Sequence, residues 1–399
     1  IGCRFEDLPQ TDGLVTRRLS SVEGLPQFSQ MPNLDELPLP DFRDYFDQVQ
    51  SLSPARRFFP VLSAEMSRGC WWQKKTSRGS EQGCAFCNLN RQWQGYRAKR
   101  PDKIVSEIDH LTSRYQSLSV AFMDNVLPLR STQKIFEGLA GLHKDLNLFA
   151  EVRAGVSYET LRCMRDAGVR ELQIGIEALS SRLLKKLNKG ATCLDNLEII
   201  KNCEELGIAN VSNLITHFPG SDDQDVAETL AVLEFVQPFR PLKTVRFWLG
   251  RGSPVARDPQ SFGLKAVYNH PHYAILLSPK IARRVRMMVQ AYRGDLTAQH
   301  KRWQPVIKRV TAWQRTYTEL KALRGSEPLL GYQDGRDFLI VFRRQAAGEV
   351  ETHRLTGPSR GMYLVCQQQR SIKSICRAFP KFGEDRIAAF LKTMQAKKM

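Results

Sequence analysis

The sequence lacks the short motifs that mark several common enzyme classes. It contains no Walker A loop, no GxSxG segment and no HExxH pair, which leaves no sequence support for P-loop, α/β-hydrolase or zincin chemistry. It also lacks any apolar stretch of about eighteen residues, so no segment is predicted to span a membrane. Its seven histidines do not cluster, apart from His270 and His272 in a predicted loop.

The nine cysteines are unevenly placed. Six of the nine cysteines are scattered singly, whereas Cys70, Cys84 and Cys87 lie close together. Because no regular pairing pattern is present, we expect free thiols and a reducing compartment, the cytoplasm. Three thiolates suit zinc or an iron–sulfur cluster better than a hard cation, and they are one ligand short of a closed tetrahedral site. Two interpretations of these cysteines are therefore open: a structural zinc knuckle, or an iron–sulfur cluster with one open iron.

Acidic residues are scarce in the C-terminal third. The chain carries a formal net charge of +18, and residues 280–399 contain 25 basic and 9 acidic side chains. Residues 1–50 show the reverse, with 4 basic and 9 acidic side chains. The basic excess favours an anionic partner for the C-terminal part, either an acidic peptide or a nucleic acid, and a solvated basic face is the alternative.

Between about residues 60 and 250, short β-branched or aromatic runs alternate with amphipathic segments of helical length. This alternation is typical of βα units and a parallel sheet. The predicted strands are 61–67, 118–123, 147–153, 170–176, 209–216 and 243–249, and the predicted helices are 101–114, 131–143, 158–167, 180–187, 193–206 and 222–236. Six units are too few for a closed eightfold barrel, so we expect an α/β fold with a partial, TIM-like (β/α)6 barrel.

Local chemistry predicts the ends of two of these helices. Thr192 with Asp195, and Ser221 with Gln224, have the spacing of capping boxes, and Gly207 would end the helix at 193–206.

The predicted domain organisation has four parts. These are a linker at 1–50, the barrel at 51–255, a helical extension at 256–335 and a small α+β domain at 336–399. In the extension we expect a basic amphipathic helix at 280–293 and another helix at 301–323, whose Trp303 and Trp313 are either core residues or an RNA-binding platform. In the last part we expect strands at 337–342 and 349–355, joined around 346–348, and helices at 361–369, 371–379 and 384–397. This pattern is winged-helix-like, with a plain structural cap as the alternative.

Polar residues stand at the predicted strand ends, where burial alone does not require them. They are Asp124, Asn125, Glu151, Arg153, Gln173, Glu177 and Asn213, and Gly175 lies between Gln173 and Glu177. Each alone could be an N-cap or an exposed strand residue. Together they would surround the barrel mouth that also receives the loop of Cys70, which favours a cofactor site.

These motifs together resemble those of radical S-adenosylmethionine (SAM) enzymes. The resemblance rests on residues 68–72, Cys84-x-Phe86-Cys87-x-Leu89-Asn90, Asp124-Asn125, Gln173-x-Gly175-Ile176-Glu177 and residues 218–220. More narrowly, they are similar to the radical SAM maturases of ribosomally made bacterial peptides, several of which are C-methyltransferases with an N-terminal cobalamin domain. Residues 1–50 resemble only the exit segment and linker of that domain.

The resemblance implies a role for each motif residue. Cys70, Cys84 and Cys87 would hold a [4Fe–4S] cluster whose open iron binds the amino and carboxylate groups of SAM. The backbone near Phe86 and that of Ile176 would face adenine, Asp124 and Asn125 would approach the methionine amino group, Glu151 would approach the ribose, and Gln173, Gly175, Glu177 and Asn213 would complete the pocket. The resemblance assigns no further catalytic residue.

The implied reaction is cleavage of SAM to a 5′-deoxyadenosyl radical that removes hydrogen from an unactivated carbon. We expect C-methylation of a precursor peptide with an acidic leader, an external electron donor, and cobalamin as a possible further cofactor. Peptide epimerisation or crosslinking would be favoured if the chain were complete as given. Two further hypotheses are RNA modification and, more distantly, a zinc-binding nucleic-acid module.

The cysteine spacing departs from the family pattern CxxxCxxC. Thirteen residues, 71–83, separate Cys70 from Cys84, and they include Lys74, Lys75 and Arg78. A longer flexible loop costs little closure entropy, so cluster binding tolerates it. The basic insert would either contact substrate or have no role.

Overall fold

A parallel sheet built from consecutive βα units forms the centre of the protein. The computed structural model describes residues 30–72, 74–75, 81–89, 95–325, 327–345 and 349–399. The strands of the barrel region are β1 (Leu62–Ala64), β2 (Ser67–Arg68), β3 (Lys74–Lys75), β4 (Glu81–Gln82), β5 (Arg97–Ala98), β6 (Ser119–Phe122), β7 (Asn147–Arg153), β8 (Val169–Gly175), β9 (Ala209–Asn210), β10 (Asn213–Thr216) and β11 (Lys243–Arg246). Its helices are α1 (Arg43–Ser51), α2 (Pro101–Tyr115), α3 (Thr132–Ala140), α4 (Tyr158–Asp166), α5 (Ser181–Lys186), α6 (Cys193–Leu206) and α7 (Asp223–Leu233).

The strand order follows the chain. β1, β6, β7, β8 and β9 form one parallel sheet in that order, and β10 pairs in parallel with β11. A parallel bridge between Glu177 and Leu214 joins the two groups. Because helices connect successive parallel strands, the carboxyl ends of the strands open at one edge. The predicted α/β class and partial (β/α)6 barrel are confirmed.

One predicted helix cap is confirmed and the other is wrong. Thr192 and Asp195 form a capping box at α6, and Gly207 ends that helix with φ of 68°. At α7 the cap is Asp222, paired with Asp225, and not Ser221. Ser221 is buried and its hydroxyl instead bonds to a long helix that follows the barrel, so a carboxylate one residue later caps α7.

The predicted strand at 209–216 is two strands that serve two sheets. β9 pairs with β8, and β10 pairs with β11. Ser212 lies between them, and its hydroxyl accepts the N–H of Ile174 at 2.8 Å. The break between β9 and β10 lets the chain pass from one sheet to the other. The Ser212 hydroxyl takes the place of a backbone acceptor for the Ile174 N–H.

The extension is more β-rich than the sequence predicts. It contains β12 (Leu249–Gly250), α8 (Pro254–Arg257), β13 (Ala266–Asn269), α9 (Tyr273–Leu276), α10 (Pro279–Arg284), β14 (Val289–Arg293) and α11 (Leu296–Arg324). The predicted helix at 280–293 is wrong, because α10 ends at Arg284. The chain then forms β14, the central strand between β12 and β13, so pairing on both sides outweighs the helical periodicity.

Helix α11 confirms the second predicted helix of the extension and settles the role of its tryptophans. Trp303 and Trp313 are 0% exposed and belong to the barrel core. Their indole N–H groups donate to the hydroxyl of Ser221 and the carbonyl of Phe239, each at 3.0 Å. The alternative of an RNA platform at these two residues is therefore wrong. Within the described ranges, no helix is both long and apolar enough to cross a membrane.

The C-terminal part is a three-stranded antiparallel sheet with three following helices. Its elements are β15 (Leu330–Asp334), β16 (Phe338–Arg344), β17 (Val350–Thr356), α12 (Gly357–Val365), α13 (Ile372–Ala378) and α14 (Glu384–Ala396). The predicted pair of strands is present as β16 and β17, and β15 was missed. Residues 346–348, like residues 1–29 of the predicted linker, lie outside the described residues. The winged-helix-like assignment and the domain boundaries stay predictions.

Candidate functional site

The three clustered cysteines lie on the segment that leaves the first barrel strand. Cys70 follows β2, which pairs with β5, and the Cys87 N–H donates to the Cys84 carbonyl at 3.1 Å in a tight turn. All three cysteines are half-buried. Burial raises the pKa of the Cys87 thiol; Cys84 and Cys70 raise it further, whereas the Leu89 N–H and Lys189 lower it. The three thiols therefore lie close enough to influence one another.

The turn between α5 and α6 holds this cysteine loop in place. The Ala85 N–H donates to the Leu187 carbonyl at 2.8 Å, and the Asn188 amide donates to the Gly83 carbonyl at 2.7 Å. The Trp72 indole donates to the Asn188 carbonyl at 2.9 Å. Contacts on both sides of Cys84 thus fix the loop to one rigid turn.

Gly190 makes this docking possible. Its φ is 69°, and a Cβ atom added there would overlap the Trp72 ring. Only glycine combines this backbone conformation with the space that the indole needs.

Arg153, at the end of β7, places a positive charge against the loop. Its guanidinium lies 4.7 Å from the Trp72 ring centroid and 5.5 Å from that of Trp71. One Nη atom is 3.8 Å from the Cys84 sulfur, and the other donates to the Lys189 carbonyl. The Cys84 sulfur therefore faces a guanidinium that the Lys189 carbonyl and the two indole rings hold in place.

Asp124 lies behind the loop, where it anchors the chain that leads to Cys70. It is 1% exposed and accepts the Met66 N–H at 3.0 Å and the Ser67 hydroxyl at 2.5 Å. Burial raises the pKa of Asp124 to about 6, against the opposing effect of these hydrogen bonds. Asn125, the next residue, is exposed. The predicted contact of Asp124 and Asn125 with the methionine amino group stays a prediction.

A buried ion pair occupies the end of β8. Lys189 Nζ is 3.0 Å from Glu177 Oε1, and the two side chains are 7% and 16% exposed. Gly175 gives the pair its room, because a Cβ there would lie 2.6 Å from Lys189 Nζ. The same ammonium lies 5.8 Å from the Phe86 ring centroid, between the second and third cysteines. The pair therefore connects the strand end to the cysteine loop.

Glu177 adopts an uncommon backbone conformation at this point. Its φ is 59°, while its N–H donates to the Asn213 carbonyl and its carbonyl accepts the Ile215 N–H. A non-glycine residue with positive φ is a feature that clusters at functional sites. Burial raises the pKa of Glu151 on the neighbouring strand, and the charges of Glu177 and Asp124 add to this rise.

The other predicted residues surround the same strand ends. Gln173 and Asn213 are half-buried, and Gln173 is the direct partner of Glu151 in the β7–β8 register. Ile176 is 0% exposed; its N–H donates to the Ile174 carbonyl, and its carbonyl accepts from Asn196 and Ala178. Its predicted backbone contact with adenine stays a prediction. Arg78, Asn90 and the side chains of Lys74 and Lys75 lie outside the described residues.

Sequence reasoning missed Lys189 and His217. Lys189 follows a helix, where a lysine is normally a solvated residue. His217 follows β10 and is 4% exposed with φ of 61°, and its Nε2 has no partner among the described residues. Burial lowers the pKa of His217 to about 4, assisted by Arg246 and His300. Neither residue belongs to a motif; only the tertiary fold shows its burial.

The donor set of the loop fits an iron–sulfur cluster. Cys70, Cys84 and Cys87 are half-buried, and Cys84 and Cys70 lie near enough to raise the pKa of Cys87. Three thiolates leave one iron of a [4Fe–4S] cluster without a protein ligand, and the Arg153 guanidinium, 3.8 Å from the Cys84 sulfur, would offset part of the negative charge of such a cluster.

The fold and this site define a class: a partial parallel α/β barrel with a three-cysteine loop at its C-terminal mouth. Residues 75–233 match the Radical SAM superfamily. Members of that superfamily use a [4Fe–4S] cluster and SAM.

Curated relatives share this region at low identity. An uncharacterised methyltransferase of Pyrococcus horikoshii is 24% identical over 55% of this chain and 45% of its own length. A hopanoid C-3 methylase of Methylococcus capsulatus is 26% identical over 45% of this chain and 35% of its own. A tRNA-2-methylthio-N(6)-dimethylallyladenosine synthase of Clostridioides difficile is 28% identical over 45% of this chain and 40% of its own. The chain thus spans less than half the length of each.

A solved structure shares the fold. The cobalamin-dependent SAM radical enzyme OxsB with aqua-cobalamin bound superposes with a TM-score of 0.52 and 14% identity, over 75% of this chain and 52% of that one. At this identity the likeness supports the barrel architecture and nothing about substrate.

Proposed function

We propose that this chain is the catalytic part of a radical SAM enzyme that C-methylates a ribosomally made precursor peptide at an unactivated carbon. The observation that carries the radical SAM chemistry is the cysteine loop, held between the α5–α6 turn and Arg153 at the barrel mouth. Methylation is supported by relatives described as methyltransferases. The peptide substrate is supported by the resemblance of the motifs and by the basic C-terminal third.

Each group in the mouth has a defined task in this proposal. Cys70, Cys84 and Cys87 hold the cluster, which together with SAM supplies a 5′-deoxyadenosyl radical when bound. Arg153 balances the negative charge of the thiolates. Lys189 and Glu177 hold the strand end and the loop at fixed separation, and the apolar core beneath them excludes water. Cobalamin would be the methyl carrier.

The test is anaerobic reconstitution followed by incubation with SAM, dithionite and cobalamin. Formation of both 5′-deoxyadenosine and S-adenosylhomocysteine is expected for methyl transfer. Deoxyadenosine alone would keep the radical chemistry and remove methylation in favour of epimerisation or crosslinking. A protein that retains iron yet forms neither product with its peptide substrate present would contradict the proposal.

A further inference from the structure

A basic cavity opens in the extension, outside the barrel mouth. It has a volume of about 820 Å³ and lies between the β12–β14–β13 sheet and helices α8 to α10. Its positively ionisable lining residues are Arg251, Arg257, Arg283, Arg286 and His270, and none of the described residues that line it is Asp or Glu. We call this feature the basic cavity.

Several arginines of the basic cavity have no carboxylate partner within the described chain. Arg251 donates to the Arg286 carbonyl at 2.7 Å, so its guanidinium is held by a neutral acceptor. Among the described residues, no salt bridge joins a carboxylate to Arg251, Arg283 or Arg286. Such cations on one concave surface concentrate positive potential, which selects an anionic ligand.

Large apolar side chains are exposed in and beside the basic cavity. Ile275 and Leu276 directly follow the lining residue Ala274 on α9, and they are 82% and 80% exposed. Val285 and Tyr268 line the cavity and are 47% and 46% exposed. Exposed aliphatic side chains next to cations suit a peptide that carries both carboxylates and apolar groups. Single-stranded RNA would instead require several stacking aromatic rings, whereas Tyr268 is the one aromatic side chain among these four exposed residues.

The wall of the basic cavity is continuous with the cysteine loop. Asn88, next to Cys87, donates to the Arg251 carbonyl at 3.1 Å, and its amide nitrogen lies 3.0 Å from Met288 Sδ. The Val255 N–H donates to the Ala85 carbonyl at 3.1 Å. A ligand in the cavity therefore lies on a surface fixed to the segment that carries Cys84 and Cys87.

We propose that the basic cavity binds an acidic peptide segment and thereby directs the attached substrate toward the barrel mouth. Carboxylates of the segment would pair with Arg283 and Arg286, while its apolar side chains pack on Ile275 and Leu276. The inference rests on the function proposed above in taking the substrate to be a peptide. It places recognition in the extension, next to the cysteine loop, and not in the C-terminal sheet and helices.

The test measures binding of a fluorescein-labelled synthetic peptide, in which glutamate and leucine alternate, to the reconstituted full chain by fluorescence anisotropy. The double variant Arg283→Gln/Arg286→Gln should raise Kd about tenfold. The matched control is Lys280→Gln/Arg284→Gln, which also removes two positive charges. Both control residues lie on α10 but do not line the cavity. This control should change Kd less than about twofold. A peptide with glutamine in place of glutamate should bind more weakly than the acidic one.

Equal weakening by both double variants, or no weakening by either, would overturn the proposal. Full displacement of the peptide by inorganic phosphate alone, or preferential binding of an RNA hairpin, would also overturn it. SAM cleavage by the wild type separates this proposal from the proposed function. If the wild type cleaves SAM but Arg283→Gln/Arg286→Gln binds the peptide as tightly as the wild type, only the cavity assignment fails. If peptide binding depends on these two arginines but the wild type forms no deoxyadenosine, only the proposed function fails.

Discussion

Two ion pairs with similar geometry occupy different environments in this protein. In the barrel mouth, Lys189 and Glu177 meet at 3.0 Å with side chains 7% and 16% exposed. In the C-terminal part, Arg360 and Asp334 meet at 2.6 Å with side chains 24% and 35% exposed. Burial of charge carries a desolvation cost that a partly exposed pair largely avoids. The buried pair therefore carries the larger desolvation cost of the two, and removal of one of its partners should destabilise the fold more.

The same contrast extends to the hydrophobic core and to single residues. The barrel has one continuous core that reaches into α11, whereas small separate clusters hold the C-terminal part. Gly190 and Gly207 have nearly the same φ, but only Gly190 faces a ring. His217 is buried, whereas His272 is exposed. The two glycines and the two histidines each compare a residue near the barrel mouth with a matched residue elsewhere in the protein.

The largest effect is expected from breaking the buried ion pair. Lys189→Met would leave the Glu177 carboxylate without its partner in a site of low exposure, at a cost of roughly 3 kcal/mol in the free energy of unfolding. Arg360→Met, at a solvent-screened pair, should change the free energy of unfolding far less. Urea denaturation of both variants measures the difference. Equal costs would remove the distinction between the two environments.

The next effect concerns the turn that holds the cysteine loop. Gly190→Ala should destabilise by about 2–3 kcal/mol, because the new methyl overlaps Trp72 in addition to the backbone strain. Gly207→Ala, where nothing lies within 4 Å of the added Cβ, should cost only about 1 kcal/mol. Iron retention during gel filtration should fall for Gly190→Ala and stay at the wild-type level for Gly207→Ala. Loss of iron in both variants would contradict a specific role for the turn.

The smallest effect is a pH dependence due to His217. In the unfolded chain its imidazole takes up a proton near pH 6.5, whereas burial lowers the pKa to about 4 in the folded chain. Its contribution to stability is therefore complete above pH 6.5 and is lost as pH falls toward 4. Between pH 7.5 and 5.5 the expected loss is about 1.4 kcal/mol.

Denaturant titrations at the two pH values check this expectation. His217→Asn should remove that component of the pH dependence, and asparagine tolerates the positive φ at this position. His272→Asn, at an exposed residue, should leave the wild-type dependence in place. An unchanged pH dependence in His217→Asn would show that burial of this imidazole does not govern acid sensitivity.

The barrel could be predicted because its information is local. The alternation of apolar runs with helical periodicity, the Thr192–Asp195 cap and Gly207 each act within a few residues, and the structure confirms them. The cysteine loop was also visible, because closely spaced thiolates are typical ligands of soft metals and iron–sulfur clusters. The alternation of strands and helices itself implies that the strand ends meet at one mouth.

The errors occurred where distant parts of the chain decide the structure. Residues 289–293 have a helical pattern but form β14, since both neighbouring strands offer backbone partners. Ser221 was predicted to cap α7, but Trp303 and Gln299, about eighty residues away, bind its hydroxyl. Lys189 gained its role only because the fold brings it to Glu177 and Phe86. Such tertiary contacts leave no short-range signal.

The most direct test of the central claim is the iron and acid-labile sulfide content of two cysteine variants after anaerobic reconstitution. Cys84→Ala removes a thiol of the loop, whereas Cys366→Ala removes an exposed thiol of the C-terminal part. We expect about four iron atoms per chain in the wild type and in Cys366→Ala, as a [4Fe–4S] cluster requires, and loss of most of the iron in Cys84→Ala. A colourless, zinc-loaded wild type, or equal iron in both variants, would contradict it.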